Sequence, residues 1–452
     1  MGLAQKEVIG RRTFAHGVHP PEHKELAAEA PIEVLKRPGR VLLPLIQHIG
    51  APCEPLVKAK EEVVFGQMVA KGKGFVSASI HASISGVVQK TTATTLPNGR
   101  HVQAIPIKAT EGDNEGNSVF EDLCTGEWPV DQVEAYRPQQ ILEAIHNAGI
   151  VGMGGAAFPT HVKFAPNEKN AIDAVLVNGC ECEPYLTCDY RLMLEAPHPI
   201  VTGALLAARA TGAKKIFIGI EDNKPSAVSV LQQAARGTGI TIAVLKTKYP
   251  QGSEKQLIKA VLNREVPVGL LPLNVGVVVM NVATATAVSR AVFRNMPLTH
   301  RVVCVTGGGI RTPKNIFAPL GVSYRELIDF CGGLRENAAR VISGGPMMGF
   351  AFSNLDTPVT KGTSGVTVLT ENDVRKESET ACIRCGRCVD VCPMNLVPTR
   401  CALAARNKDI SLAWKYHITA CFECGSCAYV CPANIPLVQL IRMGKTMAAA
   451  RR

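Results

Sequence analysis

With 452 residues, 46% hydrophobic and 19% charged, the chain is long enough for several domains and too apolar to be disordered. Forty glycines and 29 prolines against 5% aromatics point to a turn-rich α/β or α+β protein whose loops approach ligands closely. The formal net charge of +11 comes without any lysine/arginine block interleaved with aromatics, which argues against a nucleic-acid reader; acidic electron-transfer partners, anionic nucleotides or an anionic membrane surface account for it equally well.

Residues 1–37 hold short polar stretches with His16, His19, Pro20, Pro21 and His23. They are expected to form an ordered arm packed on a neighbouring domain, because no matching ligand set supports a metal site. The opening lacks the apolar core of a secretory signal, so the 16 cysteines are expected to be reduced, metal-binding thiols in the cytoplasm.

From 38 to 110 short β-rich runs alternate with glycine and proline: Val41–Leu45, Val63–Phe65, Gly86–Gln89, His101–Ile107. Pro55–Lys73 followed by His81–Val88 resembles the barrel-sandwich hybrid of biotinyl and lipoyl carriers. Its expected tip, Ser79–Ile84, has no lysine to carry a cofactor, so a structural role is expected. Residues 111–137 read as a polar connector.

Residues 138–297 alternate helical and strand patterns, the signature of an α/β sheet with crossover helices: Gln139–Ala148, Ala174–Val177, Ile200–Thr211, Lys215–Ile220, Pro225–Arg236, Ile240–Leu245, Glu254–Leu262 and Val275–Met280. The uncharged stretch Val266–Ser289 is broken by Pro267, Pro272, Asn274 and Asn281, and reads as a strand followed by a helix rather than a membrane span. Residues 298–350, with two strands ending in glycine turns around a helix near Tyr324–Cys331, suggest a ubiquitin-like (SLBB) domain. A linker is expected at 351–378, a cluster domain at 379–440 and a tail at 441–452. The fold class is therefore α/β and α+β, multidomain.

Two runs carry the most specific chemistry. Cys382-x2-Cys385-x2-Cys388-x3-Cys392-Pro393 and Cys421-x2-Cys424-x2-Cys427-x3-Cys431-Pro432 each match the bacterial ferredoxin pattern. Closely spaced thiolates curl around one cubane, and the cysteine before proline is sent to the other. Two [4Fe–4S] clusters are expected, on Cys382, Cys385, Cys388 and Cys431, and on Cys421, Cys424, Cys427 and Cys392. Zinc knuckles use paired cysteines or Cys/His sets, not triplets with a trailing Cys-Pro.

Upstream, Gly149-Ile150-Val151-Gly152-Met153-Gly154-Gly155-Ala156-Ala157-Phe158-Pro159 with Lys163 offers glycine amides and an ammonium to a phosphate, although structural glycines in a tight turn are an alternative. This loop, with Asn178-Gly179-Cys180-Glu181-Cys182-Glu183-Pro184, resembles the flavin site of the NADH-oxidising subunit of respiratory complex I. Taken with Gly17-Val18-His19-Pro20-Pro21-Glu22-His23-Lys24 and the double cysteine run, the chain resembles more closely the RnfC family, the C component of Rnf ion-translocating ferredoxin:NAD oxidoreductases.

The resemblance implies FMN held by Gly152, Gly154, Gly155 and Lys163 at its phosphate, with Asn178 and Glu181 beside the ring or ribityl chain. It also implies Glu183 on the NADH side, Phe158 stacked on a nucleotide ring, and Tyr249, Gly252, Asn281 and Thr284 in two further flavin-site turns. Cys180 and Ala283 depart from the complex I pattern, which carries Asp and Glu there. Cys180, Cys182 and Cys188 could instead form a Cys-x-Cys…Cys metal set, against a reading as buried core thiols. No general acid or base is expected, since the flavin carries hydride chemistry. The implied protein exchanges hydride with NAD(H) and passes single electrons to partners in a membrane complex, including an iron–sulfur subunit, with ferredoxin or flavodoxin further along. It would sit peripherally on the cytoplasmic face of the inner membrane. Two other readings stay open: a soluble reductase of the cobalamin-reductase type, and an electron-relay adaptor whose flavin site no longer works.

Overall fold

The computed structural model describes residues 8–112, 114–165 and 171–449. Its centre is a five-stranded sheet of β1 (Val8–Arg12), β2 (Ala174–Asn178), β3 (Lys215–Glu221), β4 (Thr241–Leu245) and β5 (Val277–Asn281). The spatial order is β1-β4-β3-β2-β5, and every neighbouring pair is parallel. β2 and β5 are almost continuously buried, as strands covered on both faces must be.

Among the described residues, the helices of eight residues or more in this region are α1 (Pro138–Asn147), α2 (Cys188–Glu195), α3 (Pro197–Thr211), α4 (Pro225–Ala234), α5 (Glu254–Leu262) and α6 (Val282–Arg294), with a five-residue helix at Thr160–Phe164. α1 starts with proline at its first position, and the Gln140 side chain accepts from the Arg137 amide at 2.9 Å. Its Ile141, Leu142 and Ile145 are buried along one stripe. α3 and α6 cross closely because Gly203 has no side chain; a Cβ there would lie 2.0 Å from the Ala285 carbonyl oxygen.

Strand order positions the site. The chain lays down β2, β3 and β4 in one direction and then returns to set β5 on the opposite flank of β2. Such a reversal opens a crevice outside the strands' carboxyl ends, where open α/β sheets bind ligands. Asn178 and Asn281 are those ends, and they are register partners.

The barrel region pairs Arg40–Pro44, His101–Ala109, Gly86–Val88 and Glu62–Val63 in one sheet, and Glu54–Pro55, Met68–Lys71 and Ile80–His81 in another. The stretch read as a hairpin tip, Ser79–Ile84, is buried throughout. Ser79 O accepts from Lys361 Nζ at 2.6 Å, and Ser83 Oγ donates to Leu320 O at 2.5 Å. The exposed bend precedes it and carries Lys73, ion-paired to Glu54.

Further segments differ from the sequence reading. The connector contains a helix, Glu115–Thr125, capped by Asn114, whose side chain accepts from the Gly116 amide at 3.2 Å. Val119 and Leu123 are buried and Phe120 and Cys124 pack partly buried beside them, apolar positions that span under two turns and are too few to read as a period. The linker at 351–378 is part of a six-stranded sheet. Five of its strands are β6 (His300–Thr306), β7 (Lys314–Pro319), β8 (Ala338–Ser343), β9 (Phe350–Phe352) and β10 (Gly365–Thr370), and β10 lies between β8 and β6. The arm supplies the sixth, Ile32–Val34, and also donates β1 to the parallel sheet.

The cluster region has two short helices, α7 (Arg387–Asp390) and α9 (Ser426–Tyr429), two longer ones, α8 (Pro398–Arg406) and α10 (Leu437–Ala449), and a six-residue helix, Ile410–Lys415, after α8. α10 continues through most of the expected tail, because Ile441, Gly444 and Ala448 are buried. Among the described residues, no helix is long and apolar enough to cross a membrane.

Candidate functional site

At the carboxyl ends of β2 and β5 the glycine loop, Asn178 and Asn281 converge. Asn281 caps α6 by accepting from the Ala283 amide at 2.7 Å, and its Nδ2 donates to Asp189 Oδ2 at 2.6 Å. Gly154 lies against it so closely that a Cβ would fall 2.7 Å from the Asn281 side chain. Thr284, one turn into α6, accepts from the Met153 amide at 3.0 Å and so ties the loop to the helix. Gly152 closes the loop through its N–H to Phe158 O at 2.8 Å, while Phe158 itself is half-buried. Gly154, Gly155 and Ala156 are exposed, and a Cβ at Gly155 would meet nothing within 4 Å. Bare main chain beside a helix N-terminus is a donor set for a phosphate. Lys163 stands behind it, donating to Val279 O at 2.9 Å and ion-paired with Glu254.

Asn178 links this cradle to the next segment. Its Nδ2 donates to Gly252 O at 2.7 Å, its Oδ1 accepts from the Cys180 amide at 3.1 Å, and the Gly252 N–H reaches Cys182 Sγ at 3.3 Å. Tyr249, in the same turn as Gly252, is buried and donates its hydroxyl to Cys424 O at 2.6 Å. The flavin-loop region therefore touches the cysteine domain directly.

The two glutamates are engaged by main chain. Glu181 caps α2, accepting from the amides of Asp189 (2.7 Å) and Tyr190 (3.1 Å). Glu183, expected on the NADH side, accepts from Met347 and Met348 amides at 3.2 and 2.8 Å in the turn between β8 and β9. Burial pushes its carboxyl up to about 7, against the pull of those amides and of Lys24. Asp189 is also pushed up to about 7, by burial and by the Glu181 charge. Cys180, Cys182 and Cys188 do not gather: Cys182 meets Gly252, Cys180 lies 3.7 Å from Gly219 O, and the atoms brought near Cys188 are carboxylates of Glu181 and Asp189. With both carboxylates already holding amides or Asn281, the thiols read as core.

The two cysteine runs repeat in conformation as well as in sequence. Arg384 and Glu423 (φ 56° and 67°), Gly386 and Gly425 (79° and 88°), and Asn395 and Asn434 (52° and 50°) are left-handed pairs at a constant offset of 39 residues. Cys392, from the first run, lines one cavity with Cys421, Cys424 and Cys427 from the second. Cys388 and Cys431 share an apolar cluster that also includes Cys427 and Cys401. An exchange of fourth ligands requires a cysteine of one run beside the triplet of the other, and thiols grouped in this way fit iron–sulfur chemistry. Gly425 abuts the turn that Glu183 holds, where a Cβ would lie 2.6 Å from Met347 O. Cys382 and Cys385 are exposed, whereas Cys392, Cys424 and Cys427 are buried.

Family models match along the chain in the order of its regions: the RnfC barrel sandwich hybrid domain at 12–112, the Nuo51 FMN-binding domain at 145–290, the SLBB domain at 302–351 and the 4Fe-4S dicluster domain at 381–435. The C component of the proton-translocating ferredoxin:NAD(+) oxidoreductase complex of Clostridium ljungdahlii is 46% identical, over 88% of this chain and 85% of its own length. The chain belongs to the RnfC family. Other RnfC relatives are the C components of the Na(+)-translocating complex of Acetobacterium woodii (43% identical, covering 86% of each chain) and of the ion-translocating oxidoreductase complex of Rhodobacter capsulatus (42%, covering 96% and 83%). Among solved structures, an NAD+-reducing [NiFe]-hydrogenase in the H2-reduced state superposes with a TM-score of 0.50 at 21% identity, over 73% of this chain and 64% of that one, a likeness of fold alone.

An RnfC chain thus carries an FMN-binding domain and a 4Fe-4S dicluster domain, and the exposed glycine cradle at the sheet's switch point fits a phosphate-bearing flavin. Sequence reasoning missed Lys24, Asp189, Arg301 and Lys361. Lys24 closes the family's N-terminal motif and Asp189 follows Cys188, so each stood next to a residue already singled out. Buried Arg301 donates to Met153 O at 3.3 Å, and buried Lys361 to Gly149 O at 2.7 Å, beneath the glycine loop. Nothing in their local sequence signals it.

Proposed function

We propose that this chain is the peripheral electron-transfer subunit of a membrane-bound ferredoxin:NAD oxidoreductase. In this reading it exchanges hydride with NAD(H) at FMN and relays single electrons through two [4Fe–4S] clusters, on the cytoplasmic face of the inner membrane. The observation that carries the reading is the hydroxyl of Tyr249 on Cys424 O, which brings the flavin-site turn onto the cysteine domain. FMN supplies the conversion between a hydride's electron pair and the single electrons that iron–sulfur centres accept.

The chain's own residues bind and orient. The amides of Gly154 and Gly155, the α6 N-terminus and Lys163 hold the phosphate. Asn178 and Asn281 sit at the strand ends, where they orient the ribityl and ring. Phe158 offers a ring face to a nucleotide base. Glu183 and Tyr249 act as positioning residues, Glu183 by fixing the Met347 turn and Tyr249 by fixing the Cys424 loop. Cys421, Cys424, Cys427 and Cys392 hold the cluster nearer the flavin domain. Cys382, Cys385, Cys388 and Cys431 would hold the outer one, which would supply single-electron chemistry on the side of the partner iron–sulfur subunit. The reading is tested on chain reconstituted with iron, sulfide and FMN: stoichiometric flavin and NADH-driven bleaching of the cluster absorbance support it. A chain that binds no FMN, or whose clusters NADH leaves oxidised, refutes it.

A further inference from the structure

Residues 16–26 form an arm that makes main-chain contacts with both halves of the proposed electron route. On one side, Lys24 is half-buried and its Nζ donates to three carbonyl oxygens of a single loop: Glu181 (2.8 Å), Glu183 (3.0 Å) and Leu186 (2.6 Å). That loop is strained, with Glu181 at φ 47° and Tyr185 at φ 70°, and such conformations persist only where the surroundings over-determine them. The arm adds Glu22 O, which accepts from the Tyr185 amide at 2.7 Å, and His23, whose ring stacks on Tyr185 at 4.7 Å. On the other side, His16 Nδ1 bonds Asp390 O at 2.7 Å and the Gly17 N–H donates to Val391 O at 3.0 Å, next to Cys392. Val18 exchanges both main-chain bonds with Tyr249 at 2.9 Å. Gly17 is required there: its φ is +86°, and a Cβ would lie 2.5 Å from Tyr249 O.

We propose that this arm is a positioning element for electron transfer: Lys24 sets the conformation of the 181–186 loop, and His16–Val18 clip the same arm to the Cys392 and Tyr249 segments, so that the flavin site and the nearer cluster keep a fixed separation. The proposal rests on the flavin reading above. A family motif with no assigned chemistry thereby acquires a mechanical role.

The first measurement is hydrogen exchange on flavin-free chain with its iron and sulfide reconstituted, comparing wild type with Lys24→Met and the milder His23→Ala. Lys24→Met removes three charge-assisted bonds, so amides of 181–190 exchange at least about tenfold faster while those of β3 are unchanged, and His23→Ala gives a smaller shift of the same pattern. FMN titration of the same proteins gives about tenfold weaker binding for Lys24→Met, with iron content and the clusters' EPR signals unaltered. The second arm is His16→Ala: NADH reduces its flavin at the wild-type rate, while passage of electrons on to the clusters slows.

Wild-type exchange at 181–190 in both loop variants overturns the proposal even where FMN binds. Unchanged cluster reduction in His16→Ala overturns the clip. Failure of the wild-type chain itself to bind FMN overturns the flavin reading instead, and the exchange data still decide the role of Lys24.

Discussion

A single phenol spans two domains. The Tyr249 hydroxyl is the only side-chain donor to Cys424 O among the described hydrogen bonds, and both groups are buried. Tyr249→Phe leaves that carbonyl unsatisfied, a loss of about 1–3 kcal/mol. The expected outcome is a lower melting temperature and slower NADH-driven cluster reduction, with FMN affinity unchanged; fluorescence titration and stopped-flow absorbance separate the two. Glu183 makes a different prediction. Its carboxyl is raised from 4.5 to about 7, so between those values the native chain holds a proton that the unfolded chain releases. Where the native state binds more protons, stability falls as pH rises. The wild-type melting temperature is therefore expected to drop between about pH 4.5 and 7. Glu183→Gln drops less steeply, retaining the share due to Asp189, which is raised in the same direction. Identical pH–melting curves for the two proteins would contradict the assignment.

The glycine loop sets two neighbouring residues against each other. At Gly154 an added methyl group collides with Asn281, which caps α6 and holds Asp189, so Gly154→Ala is expected to cost about 1–3 kcal/mol and to weaken FMN binding. At Gly155 the methyl meets open space, so Gly155→Ala melts within about 0.5 kcal/mol of the wild type, yet it binds FMN more weakly if that space receives the phosphate. Calorimetry paired with FMN titration reads both. At this scale much was legible in the sequence. The strands and helices from Pro138 to Arg294 follow apolar periodicity closely, and Glu254–Leu262 coincides with its expected bounds. The helix at Glu115–Thr125 was not legible, since its apolar residues, Val119 to Cys124, span under two turns. β10 is a clear apolar run, but its place between β6 and β8 depends on pairing with strands distant in sequence, which no local window contains. The same holds for Lys24: its partners lie more than 150 residues away, and its role exists only once the fold has brought them together.

Across the whole molecule, the exposed cysteines Cys382 and Cys385 lie among basic residues. Between Thr380 and Lys408 there are five basic residues and one acidic residue, and Arg384, Arg387, Arg400 and Lys408 are exposed. Ile383, beside Cys382, is 68% exposed. A positive collar around exposed ligands suits an acidic electron carrier, and its pull is screened beyond about 10 Å at 0.1 M salt. Charge reversal at Arg384 and Arg387 is expected to slow transfer to the acidic partner and to flatten its dependence on ionic strength. NADH oxidation with a small uncharged acceptor, and iron content, stay at wild-type levels. A partner rate indifferent to both substitutions and salt would move the docking face elsewhere.

The two cysteine runs are near-copies in backbone, yet they differ in shelter: Cys382 and Cys385 face solvent, while the cavity of Cys392, Cys421, Cys424 and Cys427 is roofed by Met394, Phe422 and α10. Dioxygen and peroxide reach one set far sooner than the other. Aerated protein should therefore bleach in two stages, passing through a half-loaded form that keeps its inner cube, and Mössbauer spectra taken along the time course would resolve it. Under the proposed electron path the exposed site would be both the outlet and the first part to fail, so a cell under oxidative stress would cut the current to the membrane partner before the flavin end lost the ability to react with nicotinamide.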